Sequence, residues 1–172
     1  MLTLSLLRHA KSDRDDAGSK DIERPLSERG RRAAPAMGAY MRAEGLVPGL
    51  VLSSTSVRTR ETCQLVLGNF TPSPAVAFED VLYLASPKTL LGRIRRTPAG
   101  IGHLMVIGHN PGLQALALEL IATAPRTKLA ALAAKLPTAG LVVLELEARD
   151  WAAVMPVTAR LARFVTPAML EV

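Results

Sequence analysis

Cysteine occurs once, at Cys63, so no internal disulfide can form and no cysteine-rich metal site can be built. Aromatic residues are scarce as well: three Phe, two Tyr and one Trp leave little for base stacking. The basic residues, from Arg24 to Arg96, are scattered without a nucleic-acid-binding motif, so the net charge of +6 does not by itself argue for a nucleic-acid partner. A positive field that attracts phosphorylated substrates explains that charge equally well. No run of about 18 apolar residues occurs, and the most hydrophobic stretch, from Pro111 to Ala124, is interrupted by Gln114 and Glu119, so no membrane span is expected. No basic segment precedes a long apolar run at the N-terminus, which leaves the cytoplasm as the default compartment. A Walker-type glycine loop is missing. Cys63 also lacks the arginine six residues on that a cysteine-dependent phosphatase needs, since Asn69 stands there, and it reads as a buried helical thiol. With no paired carboxylates at ligand spacing beside the three histidines, neither a metal nor another cofactor is expected.

What is present is 172 residues, 49% hydrophobic and 21% charged, enough for one domain spanning residues 1–172 with its own core. Strand and helix signals alternate for most of the length. Leu2 to Leu7 alternates as a strand, and the polar, charged segment from Lys11 to Glu23 reads as a loop that forms a rim. Ser27 caps a helix whose Ala33, Ala34, Met37 and Met41 share one face, with Pro35 predicting a kink or a late start. Leu50 to Ser53 is a buried strand, followed by a helix from Val57. Val76 to Phe78 reads as a strand, and Ser86-Pro87 opens a further helix. Leu104 to Ile107 is a strand leading, through an Asn110 cap, into a helix from Pro111 whose core face includes Leu113, Leu120 and Ile121. A short Ala-rich helix from Thr127 to Lys135 and strands at Leu141 to Leu146 and Leu161 to Val165 complete the chain. The expected class is α/β, a three-layer α/β/α arrangement around a mainly parallel central sheet.

Chemistry concentrates where strands hand over to helices. Arg8-His9 ends the first strand, where α/β folds place their sites, and pairs a guanidinium fork suited to a phosphoryl group with an imidazole that is nucleophilic when neutral. Arg58 sits in the first turn of the helix after Ser53-Ser54-Thr55-Ser56, where the dipole opposes a cation unless an anion is bound there. Arg60 and Glu61 read as a solvated face of the same helix. His109, in Gly108-His109-Asn110-Pro111, ends a third strand, whereas His103 precedes that strand and reads as structural or exposed.

Arg8-His9-Ala10-Lys11-Ser12, Arg24-Pro25-Leu26-Ser27-Glu28-Arg29-Gly30, the Ser54 to Thr62 segment, Leu82-Tyr83-Leu84-Ala85-Ser86-Pro87, Gly108-His109-Asn110-Pro111 and the Phe164-Val165 tail together resemble the histidine phosphatase superfamily. The likeness is to its small SixA-type phosphohistidine phosphatases and runs nearly end to end. One departure is Ala10, which replaces the glycine of the family's Arg-His-Gly opening and requires a backbone there that tolerates a Cβ. The resemblance implies that His9 is the nucleophile that becomes phosphorylated and that Arg8, Arg58 and His109 hold the phosphoryl oxygens. Larger members carry a carboxylate that protonates the leaving oxygen; the candidates here are Glu79 and Asp80, either of which could equally be a turn residue. The chain is short of the insertions that cap the substrate in mutases, which implies an open cleft. The expected activity is hydrolysis of phosphohistidine in a protein partner, or of a small phosphorylated compound. The alternative is an idle module that binds phosphorylated partners through the same pocket.

Overall fold

The computed structural model describes residues 1–14 and 18–172. Its strands are β1 (Leu2–Arg8), β2 (Leu50–Ser53), β3 (Ala75–Phe78), β4 (His103–Gly108), β5 (Ile121–Thr123), β6 (Leu141–Leu146) and β7 (Ala159–Val165). The helices are α1 (Glu28–Ala43), α2 (Val57–Leu67), α3 (Pro87–Ile94), α4 (Gly112–Leu120) and α5 (Arg126–Ala134). All seven strands form one sheet in the order β3-β2-β4-β1-β6-β7-β5. It is mainly parallel: only β6 runs against its neighbours, pairing antiparallel with both β1 and β7.

Alternation along β1 explains the layers. Leu4 and Leu6 point to one face, where they join Leu104, Val106 and Leu144 of the sheet with Leu90, Leu116 and Leu132 from α3, α4 and α5. Leu7 points to the other, with Val51, Ile107 and Val143 under Met37 and Met41 of α1 and Cys63 and Val66 of α2. Both faces being covered accounts for the continuous apolar runs in the central strands.

Register determines what meets at the carboxyl edge of the parallel strands. Arg8 lies opposite Gly108, and Ser53 opposite Ile107, so β1, β4 and β2 end nearly in step. Because β6 is antiparallel, it starts at that same edge, with Leu141 opposite Leu7. The segment entering it is therefore drawn beside His9, and the Ala139 amide donates to both the Arg8 and His9 carbonyls, at 3.1 and 3.0 Å.

Four expectations need correction. Pro35 neither delays nor ends its helix: α1 starts at Glu28, with the Ser27 hydroxyl accepting from the Gly30 amide at 3.1 Å, and runs on through Pro35. Burial of Gly30, Ala34, Met37 and Met41 along one face offsets the hydrogen bond that proline removes. The Lys11 to Glu23 segment is not all loop, since Ser12 bridges to Leu26 and residues Asp21–Glu23 make a 3₁₀ turn; residues 15–17 of that segment lie outside those described. Ile121 does not extend the helix before it. It opens β5, a three-residue edge strand with a single buried residue, too short to leave a period in the sequence. His103 opens β4 rather than preceding it, with its Nε2 2.8 Å from the Ser5 hydroxyl at the sheet edge remote from His109.

Candidate active site

The shared edge opens into a cleft of about 560 Å³ lined by Arg8, His9, Arg58 and His109, with Asp21 and Arg24 among the residues at its rim. The backbone around His9 is tightly held. The Ala10 amide donates to the Thr62 hydroxyl at 3.0 Å, and that hydroxyl in turn donates to the Arg58 carbonyl at 2.7 Å, which ties the end of β1 to the first turns of α2. Ala10 is fully buried and avoids the left-handed region, so its Cβ is accommodated in the core. The following chain packs against α1 so closely that a Cβ at Gly30 would fall 2.1 Å from the Lys11 carbonyl oxygen, which explains the glycine that closes the Arg24 to Gly30 motif.

The ring of His9 has one nitrogen engaged and one free. Nδ1 lies 2.8 Å from the Ala10 carbonyl, which can only accept, so Nδ1 carries the proton and Nε2 keeps its lone pair. Burial, reinforced by the charges of Arg58, Arg8 and Arg24 and resisted by the Ala10 hydrogen bond, lowers the pKa of His9 to about 4. The imidazole is neutral at pH 7.

His109 stands beside it, with ring centroids 5.3 Å apart, and is bonded differently. Its Nε2 is 2.8 Å from the Ser54 hydroxyl, and Arg58 Nη2 approaches Nδ1 at 3.4 Å. A guanidinium can only donate, so Nδ1 accepts from it and Nε2 carries the ring proton toward Ser54. Burial first, then Arg58 and His9, lower the His109 pKa to about 3.

Arg58 is 2% exposed although it is a cation in the first turn of α2. Its counter-charge is Asp21, which sequence reading did not single out. Arg58 Nη1 donates to the Asp21 carbonyl at 2.7 Å and Nη2 to the Asp21 carboxylate at 3.0 Å. Tyr83 donates a very short hydrogen bond to the same carboxylate, and Arg24 Nε donates to it at 3.0 Å. The Tyr83 hydroxyl above all, then Arg24 and Arg58, hold the carboxyl of Asp21 well below the usual carboxylate range. Tyr83 also meets His109 edge-on at 5.3 Å, and Leu84 next to it lines the cleft in a left-handed conformation with φ of 48°. That backbone costs a non-glycine residue on the order of 1 kcal/mol. Asp21 lies in a polar loop with no periodicity, so only its place in the folded chain marks it, and the Leu82 to Pro87 motif, although it contains Tyr83, assigns that residue no role. Arg8 is held by a different segment, donating through Nη1 to the Leu136 carbonyl at 3.0 Å, which Asn110 Nδ2 also reaches at 3.1 Å.

Glu79 and Asp80 do not join this group. Glu79 is gripped at both oxygens by Arg93, at 2.6 and 2.9 Å, and Asp80 accepts from the Thr55 hydroxyl at 2.6 Å. Neither lines the cleft. Among the described residues, no group of three or more His, Cys, Asp or Glu is placed to hold a metal ion. Cys63 is buried in α2 and unpaired, with its thiol pushed up to about 11 by burial. No helix among the described residues is long and apolar enough to cross a membrane.

This geometry agrees with what the chain is similar to. Residues 4–80 match the model of the histidine phosphatase superfamily, branch 1. A crystal structure from Agrobacterium tumefaciens described as the phosphohistidine phosphatase SixA is 30% identical, with 96% of this chain and 98% of that one aligned at a TM-score of 0.82. The chain belongs to the histidine phosphatase superfamily, in its SixA-type branch. A SixA structure from Nakamurella multipartita aligns over 96% of each chain with a TM-score of 0.83 at 27% identity. An uncharacterised protein of Mycobacterium tuberculosis is 36% identical over 163 residues, which cover 94% of this chain and 99% of the relative. As a member of this superfamily the protein is a phosphatase.

Proposed function

We propose that the whole chain, residues 1–172, acts as one histidine phosphatase domain that cleaves phosphohistidine through a covalent intermediate on His9. The observation that carries this reading is the His9 ring: Nδ1 donates to the Ala10 carbonyl, which leaves a neutral Nε2 in a cleft whose lining includes the guanidinium groups of Arg8 and Arg58. Nε2 attacks phosphorus in line with the leaving group, and the P–N bond to His9 forms as the bond to the leaving nitrogen breaks. Arg8 and Arg58 stabilise charge spreading over the equatorial oxygens, and no metal takes part. A phosphoryl dianion beside His109 raises that ring's pKa, so Nδ1 takes a proton from solvent, Arg58 Nη2 turns from Nδ1 to the phosphoryl group, and Nδ1–H donates to a phosphoryl oxygen. Water then attacks phosphorus, the P–N bond breaks with its electron pair returning to His9 Nε2, and orthophosphate departs with both of the water's protons.

The choice of phosphohistidine over an alkyl phosphate rests on the missing acid. A protonated phosphohistidine leaves as neutral imidazole, whereas an alkoxide benefits from a general acid worth roughly 10² to 10⁴ in rate. Glu79 and Asp80 are occupied outside the cleft, and Asp21, which does line it, is held ionised. The test compares a phosphohistidine peptide with an alkyl phosphate, and the expected preference in kcat/KM is about tenfold or more. Better hydrolysis of the alkyl ester, lost in Glu79→Gln or Asp80→Asn, would instead favour small phosphomonoesters. The other function considered, a binding module without turnover, gives no reason for a free lone pair on a neutral histidine and predicts vanadate binding with no hydrolysis at all.

A further inference from the structure

Beside the catalytic cleft lies a second cavity of about 530 Å³, and the two share Arg8, Lys11, Arg14 and Thr138 as a common wall. Five cations line the second cavity, the shared three together with Arg29 and Lys135, and among the described residues no carboxylate does. Ion pairs among the described residues engage Arg24, Arg32, Arg58, Arg93, Arg149, Arg160 and Arg163 but none of these five. Clustering like charges without counter-charges opposes folding, and an anion removes that cost. The floor is apolar, formed by Ala131, Pro137 and Phe164 among others. A free inorganic ion has no use for such a floor, whereas a substrate body with an anion at its far end has use for both.

We infer that this cavity is a substrate subsite for a second anionic group, a carboxylate or phosphate carried on a short, partly apolar body attached to the phosphoryl group being transferred. The assignment rests on the phosphoryl group sitting between Arg8, Arg58 and His9, because Arg8 then faces both anions at once. Substrate selection beyond the phosphoryl group falls to Arg29 and Lys135, which are exposed, come from α1 and from the end of α5, and lie outside the catalytic cleft.

The test uses the double variant Arg29→Gln, Lys135→Gln and two matched substrate pairs. One pair is phosphohistidine peptides that differ only in a flanking Glu or Gln; the other is fructose bisphosphate against fructose monophosphate. In the wild type the member with the second anion is favoured in kcat/KM by about tenfold in at least one pair, as expected from two exposed charge contacts. The peptide pair responding identifies an acidic protein segment as the source, and the sugar pair a small molecule. In the double variant the preference shrinks to about twofold or less, while the member lacking the anion is turned over within about twofold of wild type. An absent preference in both pairs, or one that survives in the double variant, overturns the assignment. Calorimetry with pyrophosphate and orthophosphate reads the subsite without turnover: pyrophosphate binds more tightly to the wild type, and the double variant loses that advantage. If no substrate is hydrolysed but this binding difference holds, the phosphatase reading has failed and the subsite stands.

Discussion

His9 and His109 occupy equivalent places, each one residue past a parallel strand at the same sheet edge, yet their partners place the ring proton on opposite nitrogens. A backbone carbonyl takes the Nδ1 proton of His9 and leaves Nε2 open. A hydroxyl and a guanidinium take both nitrogens of His109. Neither ring's role follows from its strand; each follows from the atom that fixes its proton. The carbonyl next to His9 cannot reverse its polarity, so that tautomer is permanent. The Ser54 hydroxyl accepts from Nε2 in either state, so His109 can take up a second proton at Nδ1 when an anion arrives.

The sharpest way to break this contrast is to remove one ring at a time. His9→Ala is expected to lower kcat by about 10⁴-fold or more while calorimetry still detects vanadate binding, because both guanidinium groups and His109 remain. Substantial residual turnover would mean that His9 does not carry the phosphoryl group. Next in size, Arg58→Ala should cost on the order of 2 to 4 kcal/mol of transition-state stabilisation, seen as a fall in kcat. A change confined to KM would show that Arg58 binds the ground state equally well. This variant also leaves Asp21 without its buried counter-charge, so its melting temperature should be recorded alongside the kinetics.

A finer probe is Ser54→Ala, which removes the partner of His109 Nε2 and touches nothing on His9. About a tenfold loss in kcat is expected, with His109 ring nitrogen shifts moved in the NMR spectrum and those of His9 unchanged, and Ser54→Thr should restore both. An unaltered His109 spectrum would remove Ser54 from the positioning role. A probe that needs no variant is stability against pH. His9, His103 and His109 all have folded pKa values near 3 to 4, below the ordinary 6.5, so the unfolded chain binds more protons between those limits. Stability is therefore full above about pH 6.5 and falls as pH drops toward 4, by up to about 1.4 kcal/mol per pH unit for each histidine. Chemical denaturation at pH 7, 6 and 5 checks it, and a flat profile would show that the rings are not held neutral.

The strand ends and three helix caps were legible in the sequence because they depend on local chemistry, whereas Asn110, read as a cap, lies two residues before α4, whose cap position is Pro111. Alternating leucines mark β1, Ser27, Ser56 and Ser86 accept from backbone amides at their helix starts, and Arg8, His9, Arg58 and His109 come together as the parallel register requires. Asp21 was not, nor were the partnerships of Tyr83 and Ser54, because each contact joins residues far apart in the chain: Asp21 with Arg58, Tyr83 with Asp21, Ser54 with His109. Carboxylates at Glu79 and Asp80 drew attention by residue type alone, and their actual partners, Arg93 and Thr55, show why type is insufficient. Pro35 misled for the opposite reason, since its local penalty is real but smaller than the packing of the helix face around it.

The most direct measurement is rapid acid-free quenching of the enzyme during turnover of a phosphohistidine peptide, followed by mass spectrometry of its own proteolytic fragments. The free Nε2 of His9 predicts one phosphorylated peptide, Arg8-His9 bearing, with the phosphoryl group on the τ nitrogen and absent from His9→Ala. A phosphoryl group on the π nitrogen, on His109, or on no residue of the enzyme while orthophosphate is released would contradict it.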